Sequence, residues 1–143
     1  MRKIILASSS IHRKKLLKQI KFNFIAISPD IDESRNKNES VNKFVKRLSI
    51  EKAMKIAVLR KNSIVIGSDE IAVVDDKILG KPLTKKNARK QLNLISGKKV
   101  IFKTGICVID TNTMKKLSSV VNYSIKMRKI SKNIINNYID KED

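Results

Sequence analysis

The sequence has almost nothing with which to build a disulfide or a soft-metal centre. It contains one cysteine, Cys107, and one histidine, His12. An internal disulfide, a multi-cysteine metal site and a two-histidine metal site are therefore excluded. A Ser-His-Asp triad would have to rest on His12 with no independent support, so His12 reads as a residue that lines a site or sits on the surface. Cys107 lies within the apolar run Thr104-Gly105-Ile106-Cys107-Val108-Ile109 and reads as a buried strand residue.

Long apolar runs are also lacking. A membrane span needs roughly 20 consecutive apolar residues, and no stretch approaches that; Ile4-Ile5-Leu6-Ala7 is too short for a secretory signal core. A soluble, cytoplasmic protein with no membrane partner is the expectation. Internal repeats, low-complexity linkers and evident domain boundaries are missing as well. A length of 143 residues with 41% hydrophobic content suffices for one core, so a single domain over 1–143 is expected.

Acidic residues are scarce, 13 against 32 basic ones, for a net charge of +19. Such an excess invites a nucleic-acid reading, since clustered cations gain affinity for phosphate by releasing counterions. Here 25 of the 32 are lysines, dispersed from Lys3 to Lys141, whereas base readers favour the bidentate fork of arginine. Ile (22) and Asn (12) are abundant too. All three residue types have A/T-rich codons, so a compositional bias accounts for the lysines better than a nucleic-acid partner does.

What is present is a regular alternation of strand and helix signals. Lys3 to Ala7 reads as a strand, Ser8-Ser9-Ser10 as a polar turn, and the following residues as a helix with Leu16, Leu17 and Ile20 on one side. Phe22 to Ile27 alternates as a second strand stopped by Pro29. Glu39 to Leu59 carries apolar residues at helical spacing with Ser40 as a cap. Ser63 to Ile66 is a β-branched strand leading into Gly67-Ser68-Asp69-Glu70; Ile71 to Val74 resumes it as a strand pair or hairpin, with a turn at Asp75-Asp76. Thr84 caps a helix through Ala88, Leu92 and Ile95 that Gly97 ends. Val100 to Asp110 reads as a core strand, Ser118 to Met127 as a weaker one, and Ser131 to Tyr138 as a helix.

Polar residues gather at three expected strand ends: Ser8-Ser9-Ser10 with Arg13, Asp32-Glu33, and Gly67-Ser68-Asp69-Glu70 leading to Gly80-Lys81-Pro82. Strand ends of α/β proteins host ligands. A serine turn entering a helix, with Arg13 one turn in, suits a phosphate group, although a serine that merely caps the helix accounts for it equally well. Asp69 follows a buried strand, where a metal ion or attacking water could use its carboxylate, though a turn-forming aspartate is the commoner case. With Glu33 it could supply the hard oxygen ligands that Mg²⁺ prefers. Lys52 lies in an amphipathic helix and Lys81 between Gly80 and Pro82; either could aim an ammonium at a ligand.

Taken in order, these segments resemble the Maf family along nearly the whole chain. The match runs through Leu6-Ala7-Ser8-Ser9-Ser10 with Arg13, Asp32-Glu33, Arg47-Leu48, Glu51-Lys52-Ala53, Ile66-Gly67-Ser68-Asp69, Ile78-Leu79-Gly80-Lys81-Pro82-Leu83-Thr84, Asn87-Ala88-Arg89, Ser96-Gly97 and Thr104-Gly105. The Gly-Ser-Asp and Gly-Lys-Pro-Leu-Thr forms look most like the branch acting on 7-methyl-GTP. The resemblance implies a Maf/ITPase-like α/β fold, a mixed central sheet flanked by helices with a nucleotide-binding cleft, and a homodimer. It implies hydrolysis of a nucleoside triphosphate to its monophosphate and pyrophosphate with a divalent metal cation, Mg²⁺ or Mn²⁺. Asp69 would act as general base or metal-bound carboxylate, Glu33 would assist with the metal, and Ser8, Ser10, Arg13, Lys52 and Lys81 would bind the triphosphate.

The sequence departs from the family's pattern at Ile11-His12, where proline followed by arginine or tryptophan is usual, and at Glu70, where threonine or glutamine is usual. Both places bear on base preference: a cationic 7-methylguanine could pair with Glu70 and stack on His12. Family members also continue for several tens of residues past the point matching Asp143, so apolar faces are expected to lie uncovered and activity to be reduced or absent. Two rival readings follow: a truncated relative that binds nucleotides and regulates cell division, and a basic protein that binds nucleic acid.

Overall fold

A computed structural model describes residues 2–141. Along the chain the elements are β1 (Lys3–Ala7), α1 (Ile11–Gln19), β2 (Phe24–Ile27), α2 (Val41–Ala57) and β3 (Ser63–Val74), then β4 (Lys77–Leu79), α3 (Lys85–Ile95), β5 (Lys99–Asp110), β6 (Lys116–Lys126) and α4 (Lys132–Lys141). The strands form one sheet in the order β2-β1-β3-β5-β6, with β4 paired to β3. β1 runs parallel to β2 and β3, while β4 is antiparallel to β3. This is the mixed α/β sheet with helices that the sequence predicts.

By its contacts the chain divides into two units. One takes the residues up to Glu70 with Thr104–Val121, the other Ile71–Lys103 with the residues from Asn122 onward. β3, β5 and β6 contribute residues to both.

The first unit is organised around α2. Ser40 caps it, its hydroxyl accepting from the Lys43 N–H at 3.3 Å. The apolar positions recur at helical spacing, so Phe44, Val45, Leu48, Ala53, Ile56 and Ala57 form one buried face. Beneath it, strand alternation directs Ile5 and Ala7 of β1, Val65 of β3, and Cys107 and Ile109 of β5 into the same cluster. Each fully buried Leu or Ile here contributes about 1.5–3 kcal/mol relative to an exposed one.

Two glycines set how close the helix comes. A Cβ on Gly67 would stand 2.3 Å from the Ser49 carbonyl oxygen and 2.6 Å from the Ala53 nitrogen; one on Gly105 would stand 2.4 Å from the Val45 carbonyl oxygen. Only residues without a side chain let the α2 backbone rest directly on β3 and β5.

Three expectations change in detail. β2 begins at Phe24 rather than Phe22, whose ring is half exposed. α1 forms as predicted, capped by Ser10, yet Leu16 and Ile20 are 62% and 58% exposed and the helix buries no residue. The Gly67-Ser68-Asp69-Glu70 segment is not a strand end: β3 runs unbroken for 12 residues through it. Alternating burial from Ser63 to Ile71 keeps that segment in the sheet, and the chain reverses later, at Asp75-Asp76. There both φ angles are positive (45° and 61°), the geometry of a two-residue hairpin turn that aspartate tolerates.

In the second unit Thr84 caps α3 and Gly97, at φ 72°, follows its end. α3 meets α4 through Arg89, which pairs with Asp140 and donates to Asn136, while Ile135 and Ile139 are buried. Within the first unit β6 leaves Leu117 and Val121 exposed. No helix among the described residues is long and apolar enough to cross a membrane.

Candidate active site

The register of β1 on β3 places the polar groups. Ala7, the last residue of β1, pairs with Gly67, so β3 continues past the carboxyl end of its neighbour just where Asp69 stands. The chain leaving β1 turns at Ser8 and enters α1 at the same level. An α/β sheet offers a ligand crevice at such strand ends.

Asp69, on the same face of β3 as Val65 and Gly67, points toward α2 and is buried. One turn along from Ser49, Lys52 is also buried, and its Nζ lies 2.6 Å from Asp69 Oδ1 and 2.8 Å from Glu33 Oε1. Arg13 stands on the other side, its Nη2 4.0 Å from the same Asp69 oxygen and its Nη1 donating to Ser8 Oγ at 3.4 Å. Ser8 Oγ also accepts from the Ser10 N–H at 3.1 Å, and Ser10 Oγ accepts from the Arg13 N–H at 3.4 Å. The serine turn thus orients the first turn of α1, whose N–H groups lack helical partners and favour an anion.

Six of the residues singled out from the sequence, Ser8, Ser10, Arg13, Glu33, Lys52 and Asp69, therefore meet in one cluster of the first unit. Two cations balance two carboxylates there, so a polyanion entering the cluster would need further positive charge. His12, next to Arg13 on α1, is exposed. Glu70 alternates to the face of β3 opposite Asp69, where its Oε2 accepts from Thr104 Oγ1 at 2.9 Å. Lys81 belongs to the second unit and is exposed; the carbonyl of Gly80 beside it accepts from Gln91 Nε2 at 2.7 Å.

Glu33 reaches Lys52 because the loop bearing it is tied down. Asp32 turns back on that loop, accepting from the Ser34 N–H at 2.8 Å and its hydroxyl at 2.9 Å, bonds that hold its pKa below the ordinary carboxylate value. Arg47 of α2 donates to the Ser34 carbonyl at 2.9 Å, to both Glu39 oxygens at 2.8 and 2.9 Å, and to Glu51 at 3.1 Å. Those bonds to Arg47 lower the Glu39 pKa and raise that of Arg47. From the sequence alone Arg47 enters only through the family match, and Glu39, Gly67 and Gly105 carry no role. An arginine eight residues after a glutamate at a helix start is the one signal that could have pointed to the clamp.

A divalent cation fits these residues in a limited way. Among the described residues no cluster of three or more His, Cys, Asp or Glu could hold a metal. Glu33 and Asp69, which share one ammonium, are the carboxylates available to an ion there. Mg²⁺ takes one or two carboxylates and completes its shell with water and phosphate oxygens.

The Maf family profile, described as Maf-like protein, matches residues 3–143. The chain belongs to the Maf family. Maf relatives include a protein of Aliivibrio fischeri, 41% identical over 141 residues that cover 99% of this chain and 73% of that protein. One of Alcanivorax borkumensis is 41% identical over 139 residues, 97% of this chain and 71% of the relative. One of Pseudomonas aeruginosa is 40% identical over 139 residues, 97% and 72% respectively. All three are named 7-methyl-GTP pyrophosphatase. The Maf chain also resembles the structure of the Staphylococcus aureus Ham1 protein, with a TM-score of 0.56, 19% identity, and coverage of 87% of this chain and 71% of that one. At that identity the likeness is one of fold. Maf proteins are nucleotide pyrophosphatases, hydrolases of the class the sequence implies.

Proposed function

We propose that the chain hydrolyses 7-methyl-GTP, or a nucleotide close to it, to the monophosphate and pyrophosphate. The observation that carries this reading is the convergence of Glu33, Lys52 and Asp69 beside the serine turn and Arg13. The name shared by relatives at about 40% identity supports the choice of base.

Asp69 orients the attacking water and takes its proton. The water oxygen bonds to the α-phosphorus, the bond from that phosphorus to the α,β-bridging oxygen breaks, and pyrophosphate leaves with that oxygen. Ser8, Ser10, Arg13 and Lys52 hold the phosphates and the charge that develops on the leaving group. Glu33 and Asp69 would hold Mg²⁺ or Mn²⁺, which when bound would neutralise phosphate charge and make bound water more acidic. His12, beside Arg13, is available to stack on the base; Glu70 would have to leave Thr104 to reach one.

The test is pyrophosphate release from the canonical nucleoside triphosphates and 7-methyl-GTP, with Mg²⁺ or Mn²⁺ present. We expect turnover to be fastest with 7-methyl-GTP and to fall about 10²–10⁴-fold in Asp69→Asn, the range for loss of a positioned base. His12→Ala should change the preference among bases more than the rate on any one. Release from no nucleotide, or full activity in Asp69→Asn, refutes the proposal.

A further inference from the structure

We infer that Lys52 is the resident counter-cation of the two carboxylates, and that a divalent ion must displace it before binding them. This rests on the proposed function and adds an order to it: the nucleotide draws the ammonium onto its phosphates and so opens the carboxylates to the metal.

The geometry carries the inference. Lys52 Nζ sits 2.6 Å from Asp69 Oδ1 and 2.8 Å from Glu33 Oε1, bridging the two groups that would ligate a metal. The ammonium thus holds one oxygen of each carboxylate, although Glu33 itself is exposed. The lysine is 5% exposed and Asp69 7%, so water screens their attraction poorly and an added dication would meet the ammonium's repulsion at short range. Nor can the head group drift off freely: its stem belongs to the buried face of α2, between Ser49 and Ala53, where Gly67 holds the helix against β3.

Arg13 does not substitute for it. Its nearest approach to Asp69 is 4.0 Å and its other nitrogen is engaged by Ser8. When phosphate oxygens enter beside Arg13 and the serine turn, Lys52 gains an alternative anion. The ammonium then moves from carboxylate to phosphate, and metal and nucleotide favour each other's binding reciprocally. A merely structural ion pair would show no such coupling.

The decisive experiment is calorimetric titration of Mg²⁺ into the nucleotide-free chain for wild type, Lys52→Met and Lys52→Arg. Lys52→Met, which keeps the stem and removes the charge, should bind Mg²⁺ about tenfold more tightly than wild type, with Lys52→Arg close to wild type. Equal or weaker binding by folded Lys52→Met overturns the inference. Should that variant not fold, the side-chain ammonium resonance of Lys52 in the wild-type chain gives the answer. It should shift from its ion-paired position as Mg²⁺ saturates, and an unmoved resonance at saturation overturns the inference equally. If pyrophosphate release stands while the metal titrations are unchanged, this inference alone falls. If Lys52→Met tightens Mg²⁺ binding yet the wild-type chain hydrolyses no nucleotide, the reaction alone falls.

Discussion

Gly67 of β3 faces Ala53 of α2 so closely that a methyl group on the glycine would lie 2.6 Å from the alanine nitrogen and 2.8 Å from its Cβ. Gly67→Ala must push the helix away from the sheet or strain both. Overpacking of this kind costs about 1–3 kcal/mol, read as a lower urea midpoint. Lys52 precedes Ala53, so the variant should also lose pyrophosphate release beyond what its folded fraction explains. A variant with wild-type stability would show that the contact relaxes freely.

Arg47 is expected to act on catalysis at a distance. Arg47→Lys keeps the charge but not the fork that spans Ser34, Glu39 and Glu51. The loop bearing Glu33 should loosen, with faster hydrogen exchange over 32–39 and kcat/KM reduced by about tenfold to a hundredfold, the scale of a small misplacement. Unaltered exchange in this loop would remove the clamp from the account.

Acid should release the same loop. Bonds from Arg47 lower the Glu39 pKa below 4.5, and bonds from the Ser34 backbone and hydroxyl lower that of Asp32 below 3.8. A carboxylate with a depressed folded pKa contributes stability that is whole above its unfolded pKa and fades as pH falls through the folded one. Stability should therefore decline below about pH 4.5, and Glu39→Gln should flatten the upper part of that decline. A pH profile unchanged by Glu39→Gln would argue against the linkage.

Cys107 should be inert while the chain is folded. It is fully buried, and burial raises its thiol pKa, which disfavours the reactive thiolate. Reaction with an aromatic disulfide reagent should proceed at the rate of unfolding and be complete in denaturant. Rapid labelling of the native chain would contradict its place in the core.

Much of this was legible in advance because local chemistry decides it. The caps at Ser40 and Thr84, the turn at Asp75-Asp76 and the glycine after α3 all depend on residues within a few positions of one another. The cluster itself was only half readable. Residue types named Glu33, Lys52 and Asp69 as candidates, but that one ammonium bridges both carboxylates depends on α2 lying against β3 at Gly67, a contact between segments distant in sequence. Periodicity misled at α1, where Leu16 and Ile20 mark a stripe the fold does not cover. Strand 3 misled too, since glycine and polar residues read as a break although alternation carries the strand through them.

The uncovered stripe of α1 has a consequence for the order in which the molecule yields. With no side chain sunk in the interior, that helix is fastened mainly at its first turn, by the bonds joining Ser8, Ser10 and Arg13. Its far end should fray long before α2 does, exchanging amide protons through small local openings. An anion seated at the serine turn would then tighten a whole element by gripping a single end of it.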